Sequence, residues 1–446
     1  MSYATAVKDL RRTYAALPDG APVRLGKRTS NLFRRRSAST SPGLDVSAFS
    51  GVLSVDPDAR TADVLGMTTY EELVDAVLPY GLMPLVVPQL KTITLGGAVT
   101  GLGIESSSFR NGTPHESVLE MDVLTGDGRI VTASRTENPD LFYGFPNSYG
   151  TLGYALRLLI ELEPVQPYVA LQHVHCESVA IAAERMAQIC AAREVDFIDG
   201  TWFSPTEIYL TIGTFSDRAP AGVSDYTGRN VFYRSIGSAK ADTLTVRDYL
   251  WRWDTDWFWC SRVFGVQNPA IRRWIPRRYL RSDVYWKLVG FEKKHQWKTR
   301  WDRRRGLPER EDVIQDVEIP VTRLAEFMAS FASQVPIEPV WFCPLQQRDR
   351  SATWELYALD PDVLYVNVGF WSTVPLEPGQ EDGSHNRLIE RLVDDLGGRK
   401  SLYSTSYYER EHFWGLYNGP TYDVLKKTYD PDGRLLDLYA KCVLGR

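Results

Sequence analysis

Pro88-Gln-Leu-Lys-Thr-Ile-Thr-Leu-Gly-Gly-Ala-Val-Thr-Gly-Leu-Gly-Ile-Glu-Ser-Ser-Ser-Phe-Arg-Asn-Gly112 is the stretch from which the fold is read. It carries five glycines (Gly96, Gly97, Gly101, Gly103, Gly112) and the serine run Ser106 to Ser108. Glycine lets backbone approach a ligand closely and reach positive φ, and the N–H groups and hydroxyls of such a segment suit an anionic diphosphate. The two commonest phosphate motifs do not fit. No Gly-Lys-Ser/Thr closes the run, and no G-x-G-x-x-G opens a helix directly after a strand. On the glycines alone two readings stay open, a cofactor cradle and a glycine-rich turn between strands.

The flanks bear on that choice. Residues 117 to 132 read as a hairpin, with Leu119, Met121 and Val123 alternating against Glu120 and Asp122 before a Thr125-Gly-Asp-Gly-Arg129 turn. Ser148-Tyr-Gly-Thr-Leu-Gly153 then feeds a strand whose Leu156, Leu158, Ile160 and Leu162 share one face. With Thr94-Leu-Gly-Gly97, Gly101-Leu-Gly-Ile-Glu-Ser-Ser-Ser108 and Gly150-Thr-Leu-Gly153 all present, the chain resembles the vanillyl-alcohol-oxidase or PCMH-type FAD flavoproteins, and within them the Δ24-sterol reductase branch. Ile314-Gln-Asp316, Trp341-Phe-Cys-Pro344 and Tyr403 through Tyr417 extend the likeness to nearly the whole chain. The resemblance implies an α+β fold. A PCMH-type FAD-binding domain of two α+β subdomains is expected over 1–166 and an α+β substrate cap over 167–400. A C-terminal segment, 401–446, is expected to return to the flavin site.

The same resemblance nominates cofactor contacts. In the first loop these are Lys27, Arg28, Thr29, Ser30 and Asn31, which by themselves read as an ordinary basic turn without the double glycine and histidine of many relatives. In the glycine-rich segment they are Pro88, Thr94, Gly96, Gly97, Ala98, Gly101, Gly103, Ile104, Ser106, Ser107 and Ser108, joined by Gly150, Thr151 and Gly153. Covalent relatives attach flavin through a His or Cys in one of these segments. Neither 23–31 nor 96–112 holds one, and Phe109 stands where the sterol-reductase branch tends to have His, so non-covalent FAD is expected. His115 reads as a polar turn residue.

A chain of 446 residues is too long for one ordinary core, and 43% apolar residues suffice for two. The net charge of −5 makes no call for nucleic acid. Five scattered cysteines without a C-x-x-C pair read as buried thiols, and no metal site is expected. With no run of eighteen apolar residues and no apolar leader, the expectation is a cytoplasmic, non-spanning protein. Periodicity predicts a helix over 3–17, a capping box at Thr69 and Glu72 and a helix stop at Gly81. Beyond Pro167 strands and helices alternate, the helices lying near 178–192, 324–331 and 388–393; a last strand is expected over 402–406, before a helix near Glu409.

A Trp/Arg-rich insertion at about 245–310 interrupts this pattern. Eight of the thirteen tryptophans fall between Trp251 and Trp301, and Ser261 to Arg310 holds 15 Lys/Arg against 4 Asp/Glu. Indole and cationic side chains both settle at the lipid headgroup boundary, so 251–310 reads as a peripheral contact with the inner face of the cell membrane. Tryptophans packed in a large cap with a solvated basic rim account for it equally well.

For chemistry, the resemblance implies reduction of an unactivated C=C bond by NAD(P)H through FAD. An alkene without a carbonyl must be protonated as hydride arrives, which calls for an acid, a dry apolar tunnel and few polar hooks. Tyr407 is the expected acid, with Tyr408 and Glu105 behind it. Tyr80-Gly-Leu-Met-Pro84 and Ile104 to Gly112 are most similar to actinobacterial reductases of 10-methylene-stearoyl (tuberculostearic acid) lipids. The expected substrate is accordingly the 10-methylene group of a fatty acyl chain, with a Δ24-sterol or a flavin-oxidised sugar or alcohol as the alternatives. Oligomeric state and the choice between NADH and NADPH stay open.

Overall fold

Two antiparallel sheets organise the chain in the computed structural model, which describes residues 2–27, 33–34, 43–220, 222–295, 300–301 and 304–446. The first contains β1 (Val52–Asp56), β2 (Thr61–Leu65), β3 (Leu82–Pro84), β4 (Val118–Thr125), β5 (Ile130–Ser134) and β6 (Gly153–Pro164). Its order is β1-β2-β6-β4-β5, with β3 also on β6. β6 is central because Leu158, Ile160 and Leu162 alternate into one core, whereas the register shift between Ala155 and Arg157 turns Leu156, expected on the same face, into a second cluster with Leu65 and Leu124. Helix Tyr70–Val77 packs on this sheet through Leu73, Val74 and Val77. Thr69 and Glu72 close its capping box, and Gly81 ends the following 3₁₀ turn in the left-handed region at φ 70°.

The second sheet contains β7 (Tyr168–Cys176), β8 (Phe197–Ser204), β9 (Glu207–Ser216), β10 (Ala241–Thr245), β11 (Arg310–Pro320), β12 (Val340–Leu345), β13 (Tyr365–Pro375) and β14 (Arg399–Lys400). The order is β10-β7-β9-β8-β12-β13-β11-β14, giving an α+β fold. Helices Val179–Ala192, Leu324–Gln334 and Ser384–Asp395 cover one face, where Val313, Val317 and Ile319 of β11 meet Phe327, Phe331, Ile389 and Val393. Strand alternation therefore sends Asp316 and Glu318 to the opposite face.

Three further local features differ from expectation or resolve an open choice. The glycine-rich stretch is helical over Leu95–Gly101, its Thr94 Oγ1 accepting from Gly97 N at 3.3 Å. Glycine is required at 96, where a Cβ would lie 2.8 Å from the Gly66 carbonyl and 3.1 Å from that of Ala155. Residues 402–406 do not form a strand. Among the described residues, the main chain beyond β14 pairs in a single bridge, Ser404 with Phe33, while Lys400 Nζ takes the Thr405 carbonyl at 2.7 Å and Glu390 takes the Tyr407 N–H at 3.0 Å. The tryptophans of the insertion divide. Trp251, Trp253 and Trp259 are fully buried core, whereas Trp274 and Trp301 are 77% and 63% exposed.

Between the sheets the fully buried Arg252 donates to Glu105 at 2.9 Å and to Asp199 at 2.7 Å. Removing the cation would leave two carboxylates buried and unpaired. Arg252→Met is expected to lower stability by about 3–5 kcal/mol, read as a shift of the denaturant midpoint; an unchanged midpoint would contradict this account of the junction.

Candidate functional site

The glycine-rich helix and the segment before β6 are in direct contact. Tyr149 N donates to Thr100 O at 3.0 Å and Tyr149 Oη to Gly101 O at 2.7 Å. A Cβ on Gly101 would lie 2.9 Å from the Tyr149 ring, so this approach needs glycine. Gly150, at φ 75°, carries the chain past that ring into Thr151, whose hydroxyl donates to Ser148 O, and on to Gly153 at the head of β6.

Two cations border this contact. Lys27 Nζ donates to Thr94 Oγ1 at 2.9 Å, and a Cβ on Gly97 would stand 3.3 Å from the ammonium. Arg34 is buried, lies 4.6 Å from the centroid of the Tyr149 ring and donates to Cys442 Sγ at 2.6 Å. Among the described residues this buried guanidinium has this ring and this thiol beside it rather than an anion, and an FAD diphosphate would supply one. The donor set fits the cofactor, with Lys27, Arg34, Thr94, Gly97 and the Gly101–Gly150 contact as the residues that would hold it.

The remaining candidates are placed as follows. Arg28, Thr29, Ser30 and Asn31 lie outside the described residues. The serine run is buried and its hydroxyls are engaged: Ser106 with Tyr249 Oη at 2.8 Å, Ser107 with Leu85 O at 2.8 Å, Ser108 with Glu105 N at 3.0 Å. Ala98 is core, Gly96 lies on β6, and Gly103 fits between the Pro88 and Pro114 rings, next to the partly buried Ile104. Glu105 is committed to Arg252, although burial raises its carboxyl above the usual range. Tyr407 lies at the edge of helix Ser384–Asp395, 5.2 Å from the Arg387 guanidinium. Tyr408 is enclosed by His412 and Tyr417, where burial pushes its phenol well up. Glu105, Tyr407 and Tyr408 are not brought together.

A different group is assembled where the free face of β11 meets the Tyr149 contact. Ser401 N donates to Asp316 O at 3.1 Å, and Ser401 Oγ lies 3.4 Å from Tyr149 Oη, joining the second sheet to the glycine-rich helix. Asp316 receives Asn367 Nδ2 at 3.2 Å and the Tyr403 hydroxyl, which is itself fixed by Trp371 Nε1 at 2.8 Å. Burial, outweighing those two neutral donors, pushes the Asp316 carboxyl up to about 7. Glu318, fully enclosed, accepts from the Tyr357 hydroxyl and is raised further by burial and by the Asp316 charge.

Aromatic rings continue from this point. Trp371 lies 4.3 Å from Phe258 and 5.6 Å from Trp259, and Phe33 packs on Trp257, Trp286 and Tyr403 at 5.8, 5.0 and 5.8 Å. Phe33, Trp286, Trp371, Tyr403 and Asp316 all keep accessible surface although they lie within the fold. The arrangement is an apolar wall carrying one protonatable carboxyl. Sequence reasoning missed Asp316 and Glu318 despite an available signal, two acids at i and i+2 in a strand whose other face includes Val313, Val317 and Ile319.

Comparison with known proteins agrees with the cofactor chemistry. A family profile described as FAD binding domain matches residues 3–134. Delta(24)-sterol reductase of Homo sapiens is 25% identical over 402 residues, spanning 87% of this chain and 75% of that protein. Its Arabidopsis thaliana counterpart is 24% identical over 441 residues, 90% and 77% of the two chains. Cytokinin dehydrogenase 2 of Arabidopsis thaliana is 37% identical over 399 residues, 84% and 74%.

Replacing Arg34 by Met removes the buried cation while keeping bulk against Tyr149. A charge-assisted contact is worth about 1.5–3 kcal/mol, so FAD affinity, titrated by flavin fluorescence on stripped protein, is expected to weaken about 10- to 100-fold. An unaltered dissociation constant would place the diphosphate elsewhere.

Proposed function

This chain belongs to the PCMH-type FAD flavoproteins, and from that premise we propose that it is an oxidoreductase that reduces an unactivated C=C bond of a lipid. The observation that carries the reading is the aromatic wall ending at Asp316. It offers an apolar chain extensive contact and few polar hooks, and its carboxyl is of a kind that stays protonated near neutral pH. FAD, when bound, supplies hydride, with NAD(P)H as the proposed electron donor. The chain's own residues hold the lipid, keep water from the reacting carbons and present a proton.

A 10-methylene fatty acyl chain is the substrate we favour, because protonation of its exposed methylene leaves charge on a tertiary carbon. A sterol side chain, the substrate class named in the relatives at 24–25% identity, develops charge at the same kind of centre. The likeness to a cytokinin dehydrogenase supports a second reading, substrate oxidation. That chemistry requires a base at the wall, where the structure holds a carboxyl with a raised pKa. Cells that make 10-methylene lipids and express the protein are expected to convert them to 10-methyl lipids heavier by two hydrogens, detected by lipid mass spectrometry. Unchanged methylene lipid alongside a reduced sterol would favour the sterol, and no change in either would favour oxidation.

We further propose that the exposed part of the insertion rests on a membrane surface. No helix among the described residues is long and apolar enough to cross one. Val263, Ile271, Trp274, Tyr279, Phe291 and Trp301 are nonetheless between 48% and 77% exposed in a segment rich in Arg and Lys. Each cation at an anionic surface contributes about 1 kcal/mol and is screened by salt. Sedimentation with anionic vesicles is expected to fall as salt rises and to exceed that with neutral vesicles; equal sedimentation at every salt concentration would exclude an electrostatic contact.

A further inference from the structure

Resting on the reductase reading, we propose that Asp316 is the acid that protonates the substrate double bond. Its position on β11 joins three things: the Tyr149 contact with the glycine-rich helix, through Ser401; the aromatic wall, through Tyr403 and Trp371; and an unused acceptor. That acceptor is Asn367 Oδ1, on a fully buried side chain and without a hydrogen-bond partner among the described residues, while the same amide donates to Asp316. The place is also kept clear of side chain. A Cβ on Gly369, opposite Asp316 in the β11–β13 ladder, would stand 2.5 Å from Asp316 Oδ1 and 2.8 Å from the Trp371 ring.

Other buried acids are engaged elsewhere in the fold, Asp254 for example accepting the Lys91 N–H at 3.0 Å and the Ser282 hydroxyl at 2.5 Å. Glu105 and Asp199 share Arg252, Asp256 holds Arg272, and Glu390 holds Lys400. Glu116, whose carboxyl burial also pushes up to about 7, accepts the Thr113 and Arg348 N–H groups at 3.0 and 2.7 Å. Glu318 shares the strand face with Asp316 but is fully enclosed and bound to Tyr357. Asp316 alone of these combines neutral partners with accessible surface beside the wall.

In the step, the alkene π pair forms a C–H bond with the Asp316 proton at the less substituted carbon as the O–H bond breaks. Positive charge falls on the tertiary carbon, and the hydride that quenches it would come from the FAD this site would hold, with NAD(P)H as the proposed source of its two electrons. Asn367 Nδ2 and the Tyr403 hydroxyl then stabilise the carboxylate until water returns the proton. Each turnover consumes one NAD(P)H and one proton.

Asp316→Asn keeps the shape and both neutral neighbours. It is expected to retain FAD and its reduction by NAD(P)H while alkene reduction falls about 10²- to 10⁴-fold. The titratable groups facing Asp316 are Glu318 on its own strand and Tyr403 on the return segment, while Asn367 and Trp371 on β13 do not titrate. The wild-type rate should therefore fall as pH rises through about 7, where a carboxyl raised to that value loses its proton, and the variant should lose that limb. Wild-type alkene turnover by Asp316→Asn overturns the assignment alone. Should that variant not fold, a wild-type rate that stays flat from about pH 6 to about pH 9 overturns it without any substitution. Wild-type protein that reduces neither lipid nor sterol overturns the reductase reading and this inference together.

Discussion

A carboxyl group withdrawn from water without a cation keeps its proton, and the junction between the two sheets is built around that constraint. On one side of the junction the cost is met directly, Arg252 holding Glu105 and Asp199 in a buried ion pair that fastens the insertion to the sheets. On the other, Asp316 and Glu318 receive only amide and phenol donors, so burial acts on them unopposed by positive charge. The same fold therefore gives one set of acids a cation and leaves another to hold its proton. The difference lies in a single arginine, since hydrogen bonds from neutral groups do not recover the hydration a carboxylate loses.

Tyr149 ties this junction to the cofactor end of the molecule. Its main chain meets Thr100, its hydroxyl meets Gly101 and Ser401, its carbonyl accepts Lys441 Nζ at 2.7 Å, and its ring faces Arg34. The positive-φ turn at Tyr149 and Gly150 is strained for tyrosine, and these contacts hold it. A ligand that changed the position of the glycine-rich helix would be felt at Ser401 and hence at Asp316, three hydrogen bonds away.

The parts of the fold legible in the sequence are those set by short-range periodicity. The alternation of β6 from Leu158 to Leu162, the Thr69 capping box and the helix faces carrying Phe327 and Ile389 follow from spacing alone, since burial selects every second or every third to fourth residue. The segment 94–101 was legible as a place of close approach, but the partners of its glycines, Gly66, Ala155 and Tyr149, are distant in sequence, and so was its helical form. The return segment lacks a strand because Lys400 and Glu390 take its backbone groups, a competition no local pattern displays. Asp316 and Glu318 look like the solvent face of an ordinary strand. Only the position of β11 between β13 and β14, with Tyr149 and Tyr357 above it, turns that face inward. Tyr407 drew attention as a tyrosine near the expected flavin, whereas Tyr403 is the tyrosine of this segment that reaches the wall.

The central claim is that electrons held by this protein pass to an isolated lipid double bond. It is tested most directly by mixing the anaerobic, fully reduced flavoprotein with a 10-methylene-stearoyl phospholipid in a stopped-flow instrument and following flavin absorbance. The account predicts return of the oxidised spectrum with one methyl-branched lipid formed per flavin. A spectrum that stays reduced with that lipid and with a Δ24-sterol, yet recovers at once on admission of oxygen, would contradict it.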